Sequence, residues 1–519
     1  MRALLVVVVV IAFFVLSGCQ GPPSVDPGGA VVMPVGADLQ ALIDQHAPGQ
    51  TFVLAAGVHR EQSLVPRDGD TFIGEDGAVL DGSRRLDPSA FLLRDGLWVI
   101  GGQTQRIDPR QPKMVAGREA EGHAEELFAD GRRLVRVAGP AQLDAPGKWW
   151  FDHDAAEIVM VDVPTSFQRL DTSTTAAAFT GNGVADVTIR NLEVRRYASP
   201  AQRGAIDGHR SSGWHLDRVS AVDNHGVGIG IGSGMVIDRC LVRGNGQLGI
   251  GGSGRLDEGV AGDVVEIRSC EVVDNHTLGF DWQWEAGGVK VTSASGAIVT
   301  NTRIAGHPGP GLWFDIDTSD VVACANLVED NLMGIFIETT DGADVFGNAV
   351  HDNVRERRVG SEADVHAAFY VSESSDVRIH HNVVWGQVVG VRARQVDRED
   401  SDLRLRGLHV HDNDMAFERW TGLTQVGADP EVFDSSVNRF DANTHRSDSP
   451  TPFRIGALRA DLRTWQARGH DRSGRLLEHS PPGPMPPDVP TWDDGGTGPL
   501  APDGQTSAAD CASWSADEP

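Results

Sequence analysis

The chain has 519 residues, 40% of them hydrophobic and 23% charged, and its 73 acidic against 45 basic side chains give a formal net charge of −28 and a pI near 4.9. No basic stripe is available against that field to displace phosphate counterions, which removes nucleic acid from the expected partners. The length allows one long solenoid with an accessory domain, since a solenoid grows along its axis without the usual limit on core size.

Met1-Arg2 is followed by an apolar run from Ala3 to Val15 and then by Leu16-Ser17-Gly18-Cys19. That is the order of a bacterial lipoprotein signal, and the run is too short and too N-terminal for a lasting membrane span. Residues 1–18 are therefore expected to be a signal, Cys19 the lipidated acceptor and 19–34 a flexible spacer. An ordinary secretory signal cleaved near the same place is the alternative. The expected address is extracytoplasmic, held at the membrane by the lipid.

Residues 35–101 read as a cap and the first coils: Asp38 is a natural N-cap for a short helix beginning at Leu39, and strand-like text follows Pro48-Gly49. From 102 to 164 the text changes to Glu126–Val137, Pro146–Asp152 and Ile158–Val163, with Asp130-Gly131 as a hairpin turn, which predicts a small inserted β-subdomain.

Residues 165–420 carry a degenerate repeat, Asn/Cys-x-Val-x-x-Asn followed by Gly-Ile. It is clearest at Cys240–Asn245, Cys270–Asn275, Asn326–Asn331 and Asn348–Asn353, with weaker copies at Asn191, Val219, Asn301, Asn382 and His411 and spacings that run from 21 residues (Val219 to Cys240) to 34 (Asn348 to Asn382). Strand periodicity, many glycines and no helix-period faces predict an all-β solenoid in which stacked inward amides satisfy the turn backbones. Cys240 and Cys270 share one ladder position and are read as small buried residues rather than a disulfide. Residues 421–479 are expected to form a C-terminal cap with a short helix carrying Leu458, Leu462 and Trp465, and 480–519 a disordered tail. No metal-site spacing is present, and His351, His366, His380 and His381 are read as solvated turn residues.

Two segments stand out: Gly311–Asp317 and, one coil later, Gly334–Glu338. With the glycine before each strand as register, Lys290, Trp313, Phe336, Tyr370 and Arg392 form one outward column, and Thr292, Asp315, Glu338, Ser372 and Arg394 the next. An open aromatic column flanked by charges suits a sugar, its rings covering pyranose faces and its charged groups taking hydroxyls. The alternative is a secondary core under loops, in which Lys290 would be the evident partner for the acids. Lys290, one of three lysines, is placed to pair with Glu285 or Asp315. Trp282, Trp284 and Glu285 lie in a turn insertion that either walls the groove or lids it. Asp317 is placed to orient a hydroxyl or a cation.

By these repeats the chain resembles the right-handed parallel β-helix, pectate-lyase-like superfamily from about Val35 to Phe417. The phrase Gly311–Asp315 with Gly334–Glu338 is similar to that of β-helix glycoside hydrolases that include β-xylosidases, which also carry an inserted β-domain. The resemblance implies Asp315 as nucleophile and Glu338 as acid/base, on a polysaccharide or oligosaccharide and without a cofactor. Two other readings stay open. A lyase or epimerase would use Lys290 as base with Asp315, Asp317 and Glu338 on Ca2+. A non-catalytic envelope lipoprotein would bind glycan along the same face. Strongly anionic glycans would need the local charge of Lys290, Arg392 and Arg394.

Overall fold

A computed structural model describes residues 29–483 and 489, apart from 108–110, 182, 256–261, 357–361, 397–401 and 427–428. The signal, Cys19, most of the spacer and nearly all of the tail fall outside these residues. The rest is a right-handed parallel β-helix whose coils each supply one strand to three parallel sheets.

In the central coils the first sheet stacks Leu248–Ser253, Gly287–Thr292, Pro310–Asp315, Met333–Glu338 and Ala367–Ser372. The second sheet stacks Val265–Arg268, Ala297–Thr300, Thr318–Cys324, Thr340–Phe346 and Ser375–His380. The third stacks Glu271–Val273, Arg303–Ala305, Leu327–Glu329 and Ala349–His351. Alternation sends Val289, Leu312, Ile335 and Phe369 inward in one row and Val291, Phe314, Ile337 and Val371 in the next, all essentially inaccessible to solvent. Coil pairing continues beyond Trp420, through Asp414–Val426 to Phe453–Ile455 and Arg475–Leu477, so the solenoid is longer than the repeat predicts.

The two ends of the repeat phrase are two separate ladders. Before each first-sheet strand, Asn224, Asn245, Asn275, His307, Asn331 and Asn353 stack, each side chain accepting the backbone N–H of the ladder residue before it. Between the second and third sheets the same job falls to Cys270, Thr302, Asn326, Asn348, Asn382, Asn413, Asn443 and Asp471. Buried turn donors are satisfied in this way coil after coil. Cys240 and Cys270 are buried free thiols in this ladder, as their spacing predicts, whereas Cys324 is disulfide-bonded.

At the N-terminal end the helix Leu39–Asp44 covers the first coil, its cap Asp38 accepting from the Ala41 N–H at 3.0 Å while Leu39 and Ile43 are buried. The inserted subdomain is wider than its text suggests: Leu170–Ser173 pairs with Ser83–Leu86 on one side and Leu127–Ala129 on the other in one antiparallel sheet, and Leu92–Arg94 and Leu97–Ile100 extend a second. Asp130 and Gly131 both take positive φ, as a two-residue hairpin turn requires. Near the C-terminus the helix is shorter than expected, Leu462–Ala467, and Leu458 belongs instead to the strand Leu458–Ala460. Val489 is buried against the strip of Leu327, Ala349 and Trp385, so that one described residue of the tail is packed. Among the described residues no helix is long and apolar enough to cross a membrane.

Candidate functional site

The outward face of the first sheet carries the two columns in the expected register: Lys290 beside Trp313, then Phe336, Tyr370 and Arg392, and alongside them Thr292 beside Asp315, then Glu338 beside Ser372 and Arg394. Neighbouring coils are about 4.8 Å apart. Asp315 and Glu338, each ending its strand, are therefore successive carboxylates on adjacent coils.

The aromatic column is not open. Trp313, Phe336 and Tyr370 are 4%, 4% and 6% exposed and stack face to face, with ring centroids 5.2 and 4.6 Å apart. Val354, Ala363, Val365 and Trp282 from two turn insertions pack on them together with Met333, Val389 and Trp420. The column is a secondary core, which corrects the reading of Trp313, Phe336 and Tyr370 as an exposed sugar platform. Its apolar area is large enough that covering it is favourable without a ligand.

The neighbouring column holds the polar chemistry. Asp315 is 5% exposed and meets three donors: the Ile316 N–H at 2.8 Å, Thr339 Oγ1 at 2.9 Å and Lys290 Nζ at 2.9 Å. A carboxylate offers about four acceptor sites, so one remains. Ile316, Asp317 and Thr339 take positive φ where the chain turns sharply out of the first sheet, which brings the Ile316 N–H and the Thr339 hydroxyl back onto Asp315. Glu338, 8% exposed, lies one coil further along.

Lys290 is buried, bonded to Asp315 and to Glu285 Oε1 at 3.3 Å, with its ammonium 3.6 Å from the Trp313 ring centroid. Both pairings expected for this lysine are made at once. Asp317 stands apart, 71% exposed in its side chain and paired loosely with Arg255 at 3.4 Å. Arg392 lies over the Tyr370 ring, and Arg394 donates to the Tyr370 hydroxyl at 3.2 Å. Nothing in the sequence marks Arg255, and Thr339 has only its place directly after Glu338 to mark it.

Trp282 is half-buried, one side on the aromatic core and the other lining a cavity of about 370 Å³ with Arg118, Asp274, His276, Phe280 and Arg355. This cavity is shared by the inserted subdomain, the segment from Asp274 to Trp282 and the following turns, and neither carboxylate of the pair lines it. His366 and His380 are buried rather than solvated, the first against the Leu332 carbonyl and the second on Asp344, and His351 stacks on Trp385.

In the inserted subdomain His123, Glu125 and His153 bring three potential ligand atoms within 4.8 Å of one another. The buried guanidinium of Arg136 is already bonded to Glu125 at 3.2 Å and to His153 Nε2 at 3.0 Å, and burial followed by this arginine pushes His123 down to about 4. The cationic place in that cluster is taken by arginine.

A family profile for a right handed beta helix region matches residues 204–384. No curated protein sequence matches the chain at a significant level. Among solved structures, the complex of XylC with xylose aligns at 13% identity and a TM-score of 0.50, covering 75% of this chain and 66% of that one, so the chain spans just under two thirds of XylC. A glycoside hydrolase aligns at 11% identity and 0.41, over 86% of this chain and 99% of that one. The A-module of the mannuronan C-5 epimerase AlgE4 of Azotobacter vinelandii aligns at 15% and 0.40, over 78% and 96%. At such identities the likeness is one of fold.

Proposed function

We propose that this right-handed parallel β-helix protein is carbohydrate-active and hydrolyses a glycosidic bond, with Asp315 as nucleophile and Glu338 as acid/base. The observation that carries the reading is the pair of nearly buried carboxylates on adjacent coils, one of them held by three donors. A one-coil separation of about 4.8 Å is close to the roughly 5 Å between the carboxyl groups of retaining glycosidases. Thr339, Lys290 and the Ile316 N–H fix the Asp315 carboxylate so that it need not reorganise as charge develops on the sugar.

Elimination is the weaker reading because it needs Lys290 as a free amine to abstract a proton. Two carboxylates, at 2.9 and 3.3 Å, instead hold it as an ammonium partner. The Leu16–Cys19 signal supports action outside the cytoplasm by a lipid-anchored protein.

The test is product chemistry. Protein lacking residues 1–19 is incubated with neutral and uronate-containing polysaccharides and with aryl glycosides. Hydrolysis predicts new reducing ends, or aryl release, without ultraviolet-absorbing unsaturated sugars. Unsaturated products would replace hydrolysis with elimination, and binding without turnover across the panel would leave a glycan-binding protein.

A further inference from the structure

We propose that the C-terminal coils of the first sheet carry an anion-binding subsite, formed by Arg392, Arg394, Arg454 and Arg459, that takes the carboxylate of a uronic acid unit in the glycan. This rests on the reading of the first-sheet face as the glycan-binding face, and it narrows the substrate class.

The observation is a local reversal of charge. In a chain with a net charge of −28, five guanidinium groups gather at one end of the columns: Arg392, Arg419 and Arg454 all reach Asp364, Arg454 and Arg459 lie 4.8 and 5.6 Å from the Trp420 ring centroid, and Arg394 follows Arg392 on its strand. Asp364 is shared by Arg419 at 2.7 Å and Arg454 at 3.3 Å. Arg392, Arg394 and Arg459 meet no carboxylate at ion-pair distance among the described residues. Arg392 gives one N–H to the Asp364 backbone carbonyl, and Arg394 gives one to the Tyr370 hydroxyl. Each guanidinium has five N–H donors, so most of theirs remain for a ligand. Burial pushes Arg392 and Arg459 below the ordinary arginine range, and neighbouring guanidiniums add to it against the opposing pull of Asp364 on both and of Tyr370 on Arg392.

The placement fits a chain laid along the solenoid. Arg392 and Arg394 are two residues apart on one strand, so they present side by side on the outward face, about 7 Å apart along it. Gly422 pairs with Arg392 and with Arg454 on the coils either side, so no side chain fills the column between the two arginines. Arg394 is two coils beyond Glu338 in the same column, about 10 Å away. A glycan bound between Asp315 and Glu338 would bring a unit a little further along its length to these arginines. A planar carboxylate matches the guanidinium fork in a way that a hydroxyl does not.

The experiment uses the Asp315→Asn/Glu338→Gln protein, so that binding is read without turnover. Titration calorimetry compares oligogalacturonate and oligoglucuronate with their methyl esters, which keep the sugar and remove the charge. The acids are expected to bind about tenfold more tightly than the esters, with a preference that falls with salt as far as solvent reaches the charges. Arg394→Gln and Arg392→Gln are expected to abolish the preference, and Arg394→Lys to keep part of it. Equal binding of acid and ester, a preference that survives both Gln variants, or tighter binding of a sulfated oligosaccharide of equal length would overturn the assignment. If the wild type cleaves nothing but the preference is present, hydrolysis fails and the subsite stands. If neutral glycans are cleaved with no preference for acids, the subsite fails and hydrolysis stands.

Discussion

Asp315→Asn is expected to lower kcat/KM by about 10⁴-fold or more, and Glu338→Gln by about 10² to 10⁴-fold, on the glycan found in the product screen. The asparagine variant removes the attacking oxygen while keeping the shape of the site and its acceptor for Thr339. It also deprives the buried Lys290 ammonium of its shorter carboxylate contact. Glu285 remains at 3.3 Å, so the destabilisation is expected to stay below the roughly 3–5 kcal/mol seen when a buried charge loses its whole pairing. Kinetics paired with thermal unfolding therefore separate the roles: a large loss of rate with a small loss of stability is the signature of chemistry. A rate unchanged within tenfold in a folded variant would remove Asp315 from the mechanism.

Stability is expected to fall steeply with acid because of a histidine in an asparagine ladder. His307 stands where Asn245, Asn275, Asn331 and Asn353 stand on other coils, and its Nδ1 accepts from the Asn275 N–H at 3.1 Å. The ring must be neutral to do so, and burial pushes His307 down to about 3 and its neighbour His276 down to about 4. Above pH 6.5 both the folded and unfolded states hold these rings neutral. Below it the unfolded chain takes up protons that the folded chain refuses, so stability is lost as pH falls from about 6.5 towards 4 for His276 and towards 3 for His307. At pH 5 the loss is about 2 kcal/mol for each ring, from about 1.4 kcal/mol per pH unit. Urea unfolding at pH 7 and pH 5 measures it. His307→Asn restores the usual ladder residue and is expected to flatten the dependence by that ring's share. An unchanged difference between the two pH values in His307→Asn would refute the assignment.

The columns were legible because a strand's period of two and a glycine at the start of each core strand fix register, and a one-residue slip would turn Leu312 and Phe314 outward. The ladders were legible because buried turns need a repeated side-chain acceptor. The covering of Trp313, Phe336 and Tyr370 was not, since Val354, Ala363 and Val365 come from an insertion without periodicity. The width of the inserted subdomain escaped for a similar reason: Ser83–Leu86 carries the same local strand pattern as a coil and only its long-range pairing to Leu170–Ser173 distinguishes it, while the hairpin of Leu92–Arg94 with Leu97–Ile100 joins the subdomain only through the long-range pairing of Leu97–Ile100 with Glu157–Met160. The arginine cluster joins residues 392 to 459 across a strand pairing whose register shifts between Val384 and Arg392, so regular repeat spacing cannot assemble it.

The central claim, that Asp315 and Glu338 cleave a glycosidic bond, is tested most directly by trapping. The active protein is incubated with the 2-deoxy-2-fluoro glycoside of its cleaved sugar, and the labelled peptide is identified by mass spectrometry. A single sugar adduct on Asp315, absent from Asp315→Asn, is the predicted result. Stoichiometric labelling of another residue in the wild type, or an unsaturated product formed by protein that carries no adduct, would contradict it.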